Sequence, residues 1–132
     1  MNCLLDTHVF LWAVFSPKRL SRPACRALSD PENAIRVSVV TLWEISLKYA
    51  LGKIELEGVS PDNMPEVIRR SGFELLPVDA EDAATFHRLP RECHKDPFDR
   101  MLVHQAIRQR HTLVTADSAL EEYVSCGLTV LW

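Results

Sequence analysis

Short hydrophobic runs alternate with longer amphipathic stretches along this chain. The run at 2–5 (NCLL) predicts a buried strand, and the stretch at 7–15 (THVFLWAVF) predicts an apolar helix capped by Thr7. Further strands are predicted at 34–40 (a strand or a strand-to-helix junction), 73–78, 112–115 and 128–132. Helices are predicted at 21–30, 41–53, 60–72, 79–89, from Pro97 onward, and at 118–125. This alternation predicts an α/β fold, a three-layer α/β/α sandwich around a central parallel sheet.

The helix that begins at Pro97 carries an acid where a core residue is expected. Asp96 is typical of an N-cap, and proline is favoured at the first helical position. At about 100° per residue, Asp99 falls in the middle of the apolar face, whereas His104 falls off that face. The apolar face consists of Phe98, Leu102, Val103, Ala106 and Ile107. An acid near a helix start favours the helix dipole, but that role does not explain a carboxylate facing the core.

The helix predicted at 41–53 raises a similar question. Its apolar residues form a narrow stripe of Val40, Trp43, Leu47 and Leu51. Glu44 lies at the edge of this stripe, about 40° from Val40, so it either extends to water or faces inward. We expect Trp43 to lie in the core with the other large aromatics, or else to line a groove for a partner helix.

Two further acids follow predicted strands. Asp6 comes directly after the strand at 2–5, and Asp117 lies just beyond the strand at 112–115. The carboxyl ends of parallel strands form one edge of a sheet, where ligands of such folds bind. Thr7 can cap the first helix, and Ser118 with Glu121 predicts a capping box for the last one, which leaves both aspartates free for other chemistry.

Composition limits the classes of function. The chain has 132 residues and a net charge of −3, which suits one domain (1–132) but not a nucleic-acid binder that works by charge alone. No apolar run is long enough to span a membrane and no basic leader precedes the first run, so we expect a cytoplasmic protein. The four cysteines are scattered, and the adjacent Cys93 and His94 lack the spacing of a zinc site.

Four acids that face inward or share one edge repel one another unless a cation joins them. Mg²⁺ and Mn²⁺ prefer carboxylate oxygens and retained water. One or two such ions, holding a phosphodiester and an activated water, catalyse in-line hydrolysis. The acids therefore favour a site for Mg²⁺ (or Mn²⁺) and a hydrolytic reaction.

Four segments together resemble the PIN-domain ribonucleases of the VapC toxin type. They are LLDTHVFLW, VSVVTLWEISLK, HKDPFDRMLVHQA and LVTADSAL, which occur in the family's order and at its usual spacing, so that the resemblance extends over essentially the whole chain. The resemblance implies a PIN-like fold, a metal-dependent endoribonuclease with RNA as substrate, and the toxin of a type II toxin–antitoxin pair. It also implies a cognate antitoxin that blocks the site, and we expect a homodimer. The implied catalytic and metal-binding residues are Asp6, Glu44, Asp99 and Asp117.

Within this set the resemblance makes Asp6 and Asp99 the principal metal ligands, with Glu44 and Asp117 supporting the ion or its water. Asp96 also belongs to the family motif, but we expect it to serve as the helix cap. Two alternatives act through protein binding: a degenerate PIN domain, which the presence of all four acids disfavours, and a receiver-like module. The receiver-like module requires a second acid near the first strand and a lysine after the last, and the chain has neither.

Overall fold

The five predicted strands pair into one parallel sheet in which the first strand is central. The computed structural model describes residues 1–91 and 94–132. The strand order is β3-β2-β1-β4-β5, and every described pairing is parallel. The strands are β1 (Asn2–Leu5), β2 (Ala34–Ser38), β3 (Glu74–Leu76), β4 (Thr112–Val114) and β5 (Thr129–Leu131). The predicted α/β fold with a parallel sheet is confirmed.

Within residues 1–91 and 94–132, six α-helices connect these strands, and several are shorter than predicted. They are α1 (Thr7–Phe15), α2 (Arg22–Ser29), α3 (Val39–Ala50), α4 (Met64–Arg70), α5 (Ala80–Thr85) and α6 (Pro97–Gln109). The remaining turns are 3₁₀ helices at Pro17–Arg19, Pro61–Asn63, Phe86–Arg88 and Ser118–Cys126. Pro65 accounts for one division, because a proline lacks the N–H that an interior turn needs and therefore favours a new helix start.

Two hydrophobic cores lie on opposite faces of the sheet. Strand β1 shows the division, because Cys3 and Leu5 point into one core and Leu4 points into the other. The first core is completed by α1, α2 and α4, and the second by α6 and the 3₁₀ helix at 118–126. Both faces of the central strand are therefore covered, as in a three-layer sandwich, and its polar groups reach solvent only at its ends.

Helix α3 buries a different face from the one predicted. Of the predicted stripe only Val40 is buried, whereas Trp43 is 66% exposed and Leu47 and Leu51 also face solvent. The helix starts at Val39 after a side-chain cap from the buried Ser38, and this start turns Val40, Thr41, Glu44 and Ile45 inward. The expectation that Trp43 lies in the core is therefore wrong. Its ring packs edge-on against Phe98, with centroids 5.1 Å apart.

Helix α6 buries Leu102, Val103 and Ala106, as predicted, but it is also covered on a second side. His104, which was expected off the apolar face, is buried, and its Nε2 lies 2.9 Å from the Thr85 hydroxyl. Helix α5 causes this burial, because it packs against the polar side of α6. Burial lowers the pKa of His104.

Among the described residues, no helix combines the length and the apolar character needed to cross a bilayer.

Candidate active site

Three of the four predicted acids line one cavity at the carboxyl end of β1. Asp6, Glu44 and Asp99 reach it from the first strand and from helices α3 and α6, and its volume is about 290 Å³. Its other lining residues are Thr7, His8, Leu11, Ile45, Lys48, Ile54 and Asp96. Side chains far apart in sequence meet here because α3 and α6 flank the end of the central strand.

Asp6 is fixed by hydrogen bonds to both carboxylate oxygens. Oδ1 accepts from the Thr7 N–H at 2.8 Å, and Oδ2 accepts from the Thr115 hydroxyl at 2.7 Å. The predicted Thr7 cap is therefore wrong: Asp6 is the N-cap of α1, and the Thr7 hydroxyl points to the acids instead. Asp6 is 2% exposed, and this burial raises its pKa despite the nearby His8, whose Nδ1 lies 3.4 Å from Oδ2.

Glu44 faces inward and is held on both sides. Its Oε1 accepts from the Thr7 hydroxyl at 2.7 Å, and Thr41 lies 2.9 Å from the same hydroxyl. Its Oε2 forms an ion pair with Lys48, one helical turn later. The hydrogen bond that Lys48 donates to Glu44 is the largest cause that raises the pKa of Lys48, and the charges of Asp96 and Asp99 add to it. Lys48 therefore lines the cavity, although it lies outside the hydrophobic stripe predicted for this helix.

Asp99 lies in the first turn of α6. Its side chain is 20% exposed, so it is less buried than its predicted position in the middle of the apolar face of the helix implied. Its Oδ2 is 2.9 Å from Nε2 of His94. Burial raises the pKa of Asp99 to about 6, the charge of Asp6 adds to this, and the His94 hydrogen bond opposes it. Asp96 caps the helix as predicted, because its Oδ1 accepts from the N–H groups of Phe98 and Asp99 at 2.8 and 3.3 Å.

Asp117 lies beside the cavity rather than in its wall. It lines an adjoining depression with Thr115, yet one carboxylate oxygen lies within 4.8 Å of ligand atoms of His94 and Asp99. The predicted Ser118 capping box is wrong, because Asp117 itself caps the 3₁₀ helix and accepts from the Ala119 N–H at 3.0 Å. Asp6 and Asp117 therefore combine a capping bond with a place at the site.

Four polar residues hold the acids in contacts that the sequence did not predict. Lys48 and His94 pair with Glu44 and Asp99, while Thr115 and Thr7 orient Asp6 and Glu44. A signal existed for Lys48, which follows Glu44 by four residues on one helix face. Thr115 gave no such signal, because its partner is 109 residues away.

The donor set fits a hard divalent cation. The candidate ligands are carboxylate oxygens, and burial with mutual repulsion raises the pKa values of both Asp6 and Asp99. Burial is the largest cause of both shifts and the charges of neighbouring acids add to it, so a bound cation would stabilise the ionised carboxylates. The hypothesis on zinc at Cys93 and His94 rests partly on Cys93, which lies outside the described residues.

The carboxylates lie at the carboxyl end of the central strand, where open α/β sheets bind their ligands, and carboxylates of this kind can hold the metal ions that hydrolyse phosphodiesters. The PIN domain family model matches residues 3–124, and the chain therefore belongs to the PIN domain family.

Named relatives agree with this assignment. The chain is similar to Ribonuclease VapC22 of Mycobacterium tuberculosis, with 29% identity over 98% of this chain and 97% of the relative. The fold is similar to that of VapBC2 from Rickettsia felis bound to a DNA fragment from their promoter, with a TM-score of 0.74, 18% identity, and 99% and 98% of the two chains covered. A toxin–antitoxin complex from Klebsiella pneumoniae has a TM-score of 0.59 at 19% identity, with 98% and 96% of the chains covered.

Proposed function

We propose that this chain is a metal-dependent endoribonuclease that hydrolyses RNA phosphodiester bonds as the toxin of a type II toxin–antitoxin pair. The observation that carries the proposal is the convergence of Asp6, Glu44 and Asp99 in one cavity at the carboxyl end of β1. Membership of the PIN domain family and the similarity to a VapC ribonuclease support the reaction class. The similarity to a toxin–antitoxin complex supports an antitoxin as partner.

In this proposal Asp6 and Asp99 are the principal ligands of Mg²⁺ or Mn²⁺, and Glu44 and Asp117 support the ion or its water. When bound, the cation supplies positive charge that activates water and offsets the charge of the phosphate. The Thr7 N–H and the Thr115 hydroxyl orient Asp6, so its oxygens need no rearrangement when the ion arrives.

Lys48 has two roles in this site. It holds the Glu44 carboxylate in place, and its ammonium adds a fixed positive charge beside the acids. Its raised pKa keeps it protonated at neutral pH. A protonated lysine beside an acidic cavity attracts the phosphate that the carboxylates would otherwise repel.

Cleavage of single-stranded RNA by the purified chain tests the proposal. We expect activity with Mg²⁺ or Mn²⁺, loss of activity with EDTA, and recovery when the ion is restored, because a bound ion lowers the pKa of its water and stabilises the charge on the phosphate. Asp6→Asn removes one ligand charge at nearly constant shape and should abolish cleavage. Asp62→Asn, the same change at an exposed acid outside the cavity, is the matched control and should cleave normally.

Full activity after exhaustive chelation would contradict the metal requirement. Equal activity of Asp6→Asn and Asp62→Asn would show that the cavity is not the active site.

A further inference from the structure

His94 stands among the acids at a spacing suited to a metal ion. One ligand atom each from His94, Asp99 and Asp117 all lie within 4.8 Å of one another. The Nε2 atom of His94 is 2.9 Å from the Asp99 carboxylate. These three residues would hold a cation, whose binding would displace the hydrogen bond between the His94 ring and the Asp99 carboxylate.

The histidine is held in this position from two directions. Its backbone N–H donates to Oε1 of Glu122 at 3.2 Å, which ties the approach to α6 to the 3₁₀ helix at 118–126. Its side chain is 15% exposed, so the ring lies largely within the protein. A side chain that is largely enclosed and whose Nε2 already contacts Asp99 loses little conformational entropy when it binds an ion.

The second histidine near the acids is already committed. The Nε2 atom of His8 accepts from the Ala116 N–H at 3.1 Å, and its Nδ1 faces Asp6. If His8 were a metal ligand, its ring could no longer accept the hydrogen bond from the Ala116 N–H, which connects α1 to the residues after β4. His94 therefore offers the ring nitrogen that an ion can use without disturbing the frame of the site.

We propose that His94 is a nitrogen ligand of the cation held by Asp99 and Asp117, and that it makes the site select Mn²⁺ or a similar first-row transition metal over Mg²⁺. Imidazole binds transition-metal ions, whereas Mg²⁺ demands oxygen ligands and gives up its water reluctantly. This inference rests on the proposed function, since it takes the acidic cavity as the metal site, and it names the ion preferred there.

Metal titration of the purified full chain tests the inference without any substrate. Calorimetry would give the affinities for Mn²⁺ and Mg²⁺ separately in wild type, His94→Ala, His94→Gln and His87→Ala. We expect both His94 variants to bind Mn²⁺ about tenfold or more weakly and Mg²⁺ within about twofold of wild type. His87 is an exposed histidine on the same connection between α5 and α6, so His87→Ala should change neither affinity.

Pulsed electron paramagnetic resonance on bound Mn²⁺ gives a direct readout. Coupling to ¹⁴N should be present in wild type and absent from His94→Gln, which keeps a polar side chain and preserves the fold if His94→Ala does not. Persistent nitrogen coupling in His94→Gln, or an equal loss of affinity for both ions, would overturn the inference.

The RNA cleavage assay separates the two proposals. If wild type cleaves RNA in a metal-dependent way while the ion preference of His94→Gln is unchanged, the ligand role fails and the nuclease proposal stands. If wild type binds neither ion, both fail together.

Discussion

At the scale of single residues, Asp99 carries a charge that its surroundings disfavour. Burial and the charge of Asp6 raise its pKa to about 6, well above the usual value for an aspartate. The folded state without a cation therefore resists ionisation of this group, while the unfolded chain ionises it freely. In the proposed site, Asp99 would therefore favour metal binding at the expense of the stability of the metal-free protein.

We therefore expect Asp99→Asn to abolish RNA cleavage and to raise the melting temperature in metal-free buffer at pH 7.5. A raised carboxyl pKa contributes stability below pH 3.8, and this contribution is lost as pH rises through about 6. The amide avoids that loss, and after solvent screening we expect a gain of about 1–2 kcal/mol. Scanning calorimetry of both proteins at pH 7.5 and at pH 4 measures the gain, which should shrink at the lower pH.

Wild-type turnover by Asp99→Asn at matched purity would reduce Asp99 to an acid that favours the helix dipole. An unchanged melting temperature at pH 7.5 would contradict the electrostatic account.

Asp96→Ala should separate capping from catalysis. Its carboxylate accepts from two N–H groups of the first turn of α6, and loss of such a cap costs about 1 kcal/mol. We expect a lower melting temperature, with cleavage well below that temperature reduced far less than by Asp99→Asn. Asp96→Asn is the control, because asparagine also caps helices and should melt close to wild type.

Lost cleavage in Asp96→Ala at an unchanged melting temperature would instead make Asp96 a residue of the active site, which its place in the cavity wall would explain.

At the scale of elements, a buried carboxylate joins α5 to α6. Asp82 is fully buried and accepts hydrogen bonds from Arg108 at 2.6 Å and from Gln105 at 3.1 Å. It also accepts from the backbone N–H of Asp79, the N-cap residue of α5. Its pKa is lowered, because these hydrogen bonds outweigh burial, which alone would raise it. The network serves the fold, since none of these side chains lines the acidic cavity.

Asp82→Ala should therefore cost about 2–4 kcal/mol of stability, since it leaves Arg108 and Gln105 without their buried partner. A lowered carboxyl pKa contributes stability above pH 3.8 that is lost as pH falls through the lower folded value, so the cost should shrink in strong acid. Denaturant unfolding at pH 7 measures it, with Glu81→Ala, its exposed neighbour, as the control. A loss of RNA cleavage in fully folded Asp82→Ala would show that the network also shapes the site.

The elements also show what the sequence could indicate and what it could not. Alternation of apolar runs predicted all five strands, and the chemistry of Asp96 and Pro97 predicted the start of α6. The hydrophobic pattern predicted the wrong buried face for α3. Trp43 and Leu47 are apolar but exposed, whereas Glu44 is charged but buried. The inward face of that helix depends on Thr7 and Lys48, and the Thr7 contact forms only after the chain has folded.

The candidate site also has features that the sequence predicted and features that it did not. Position at strand ends drew attention to Asp6 and Asp117, and position on helices to Glu44 and Asp99. The predicted caps Thr7 and Ser118 are wrong, because Asp6 and Asp117 cap these two helices. A carboxylate can cap a helix and still face a site. The contact of Thr115 with Asp6 depends on how β1 and the end of β4 meet, which no local pattern contains, whereas the contact of His94 with Asp99 spans only five residues.

At the scale of the whole molecule, the proposed activity requires control by a partner. Expression of this chain alone should arrest bacterial growth, because a hydrolytic site open to RNA damages the host, and co-expression of the cognate antitoxin should relieve the arrest. We expect Asp6→Asn to be harmless yet still to bind the antitoxin through contacts outside the cavity. Growth curves and co-purification with the protein of a neighbouring small reading frame measure both effects.

Growth at the normal rate with high levels of folded wild-type chain would contradict the toxin role while leaving the nuclease proposal to the cleavage assay. Loss of antitoxin binding in Asp6→Asn would show that the partner depends on the acids themselves.

The central place of β1 has a consequence for the order of synthesis. Its neighbour β4 lies more than a hundred residues downstream, and the Thr115 hydroxyl that orients Asp6 follows it by 109 positions. A ribosome that makes this chain therefore exposes Asp6 and Glu44 long before Asp99, β4 and Thr115 can join them. If the proposed site is the active site, the nascent chain lacks Asp99 and the Thr115 hydroxyl that orients Asp6 until late in its synthesis. On the proposed function, this topology would delay RNA cleavage until the last strands of the sheet have been made.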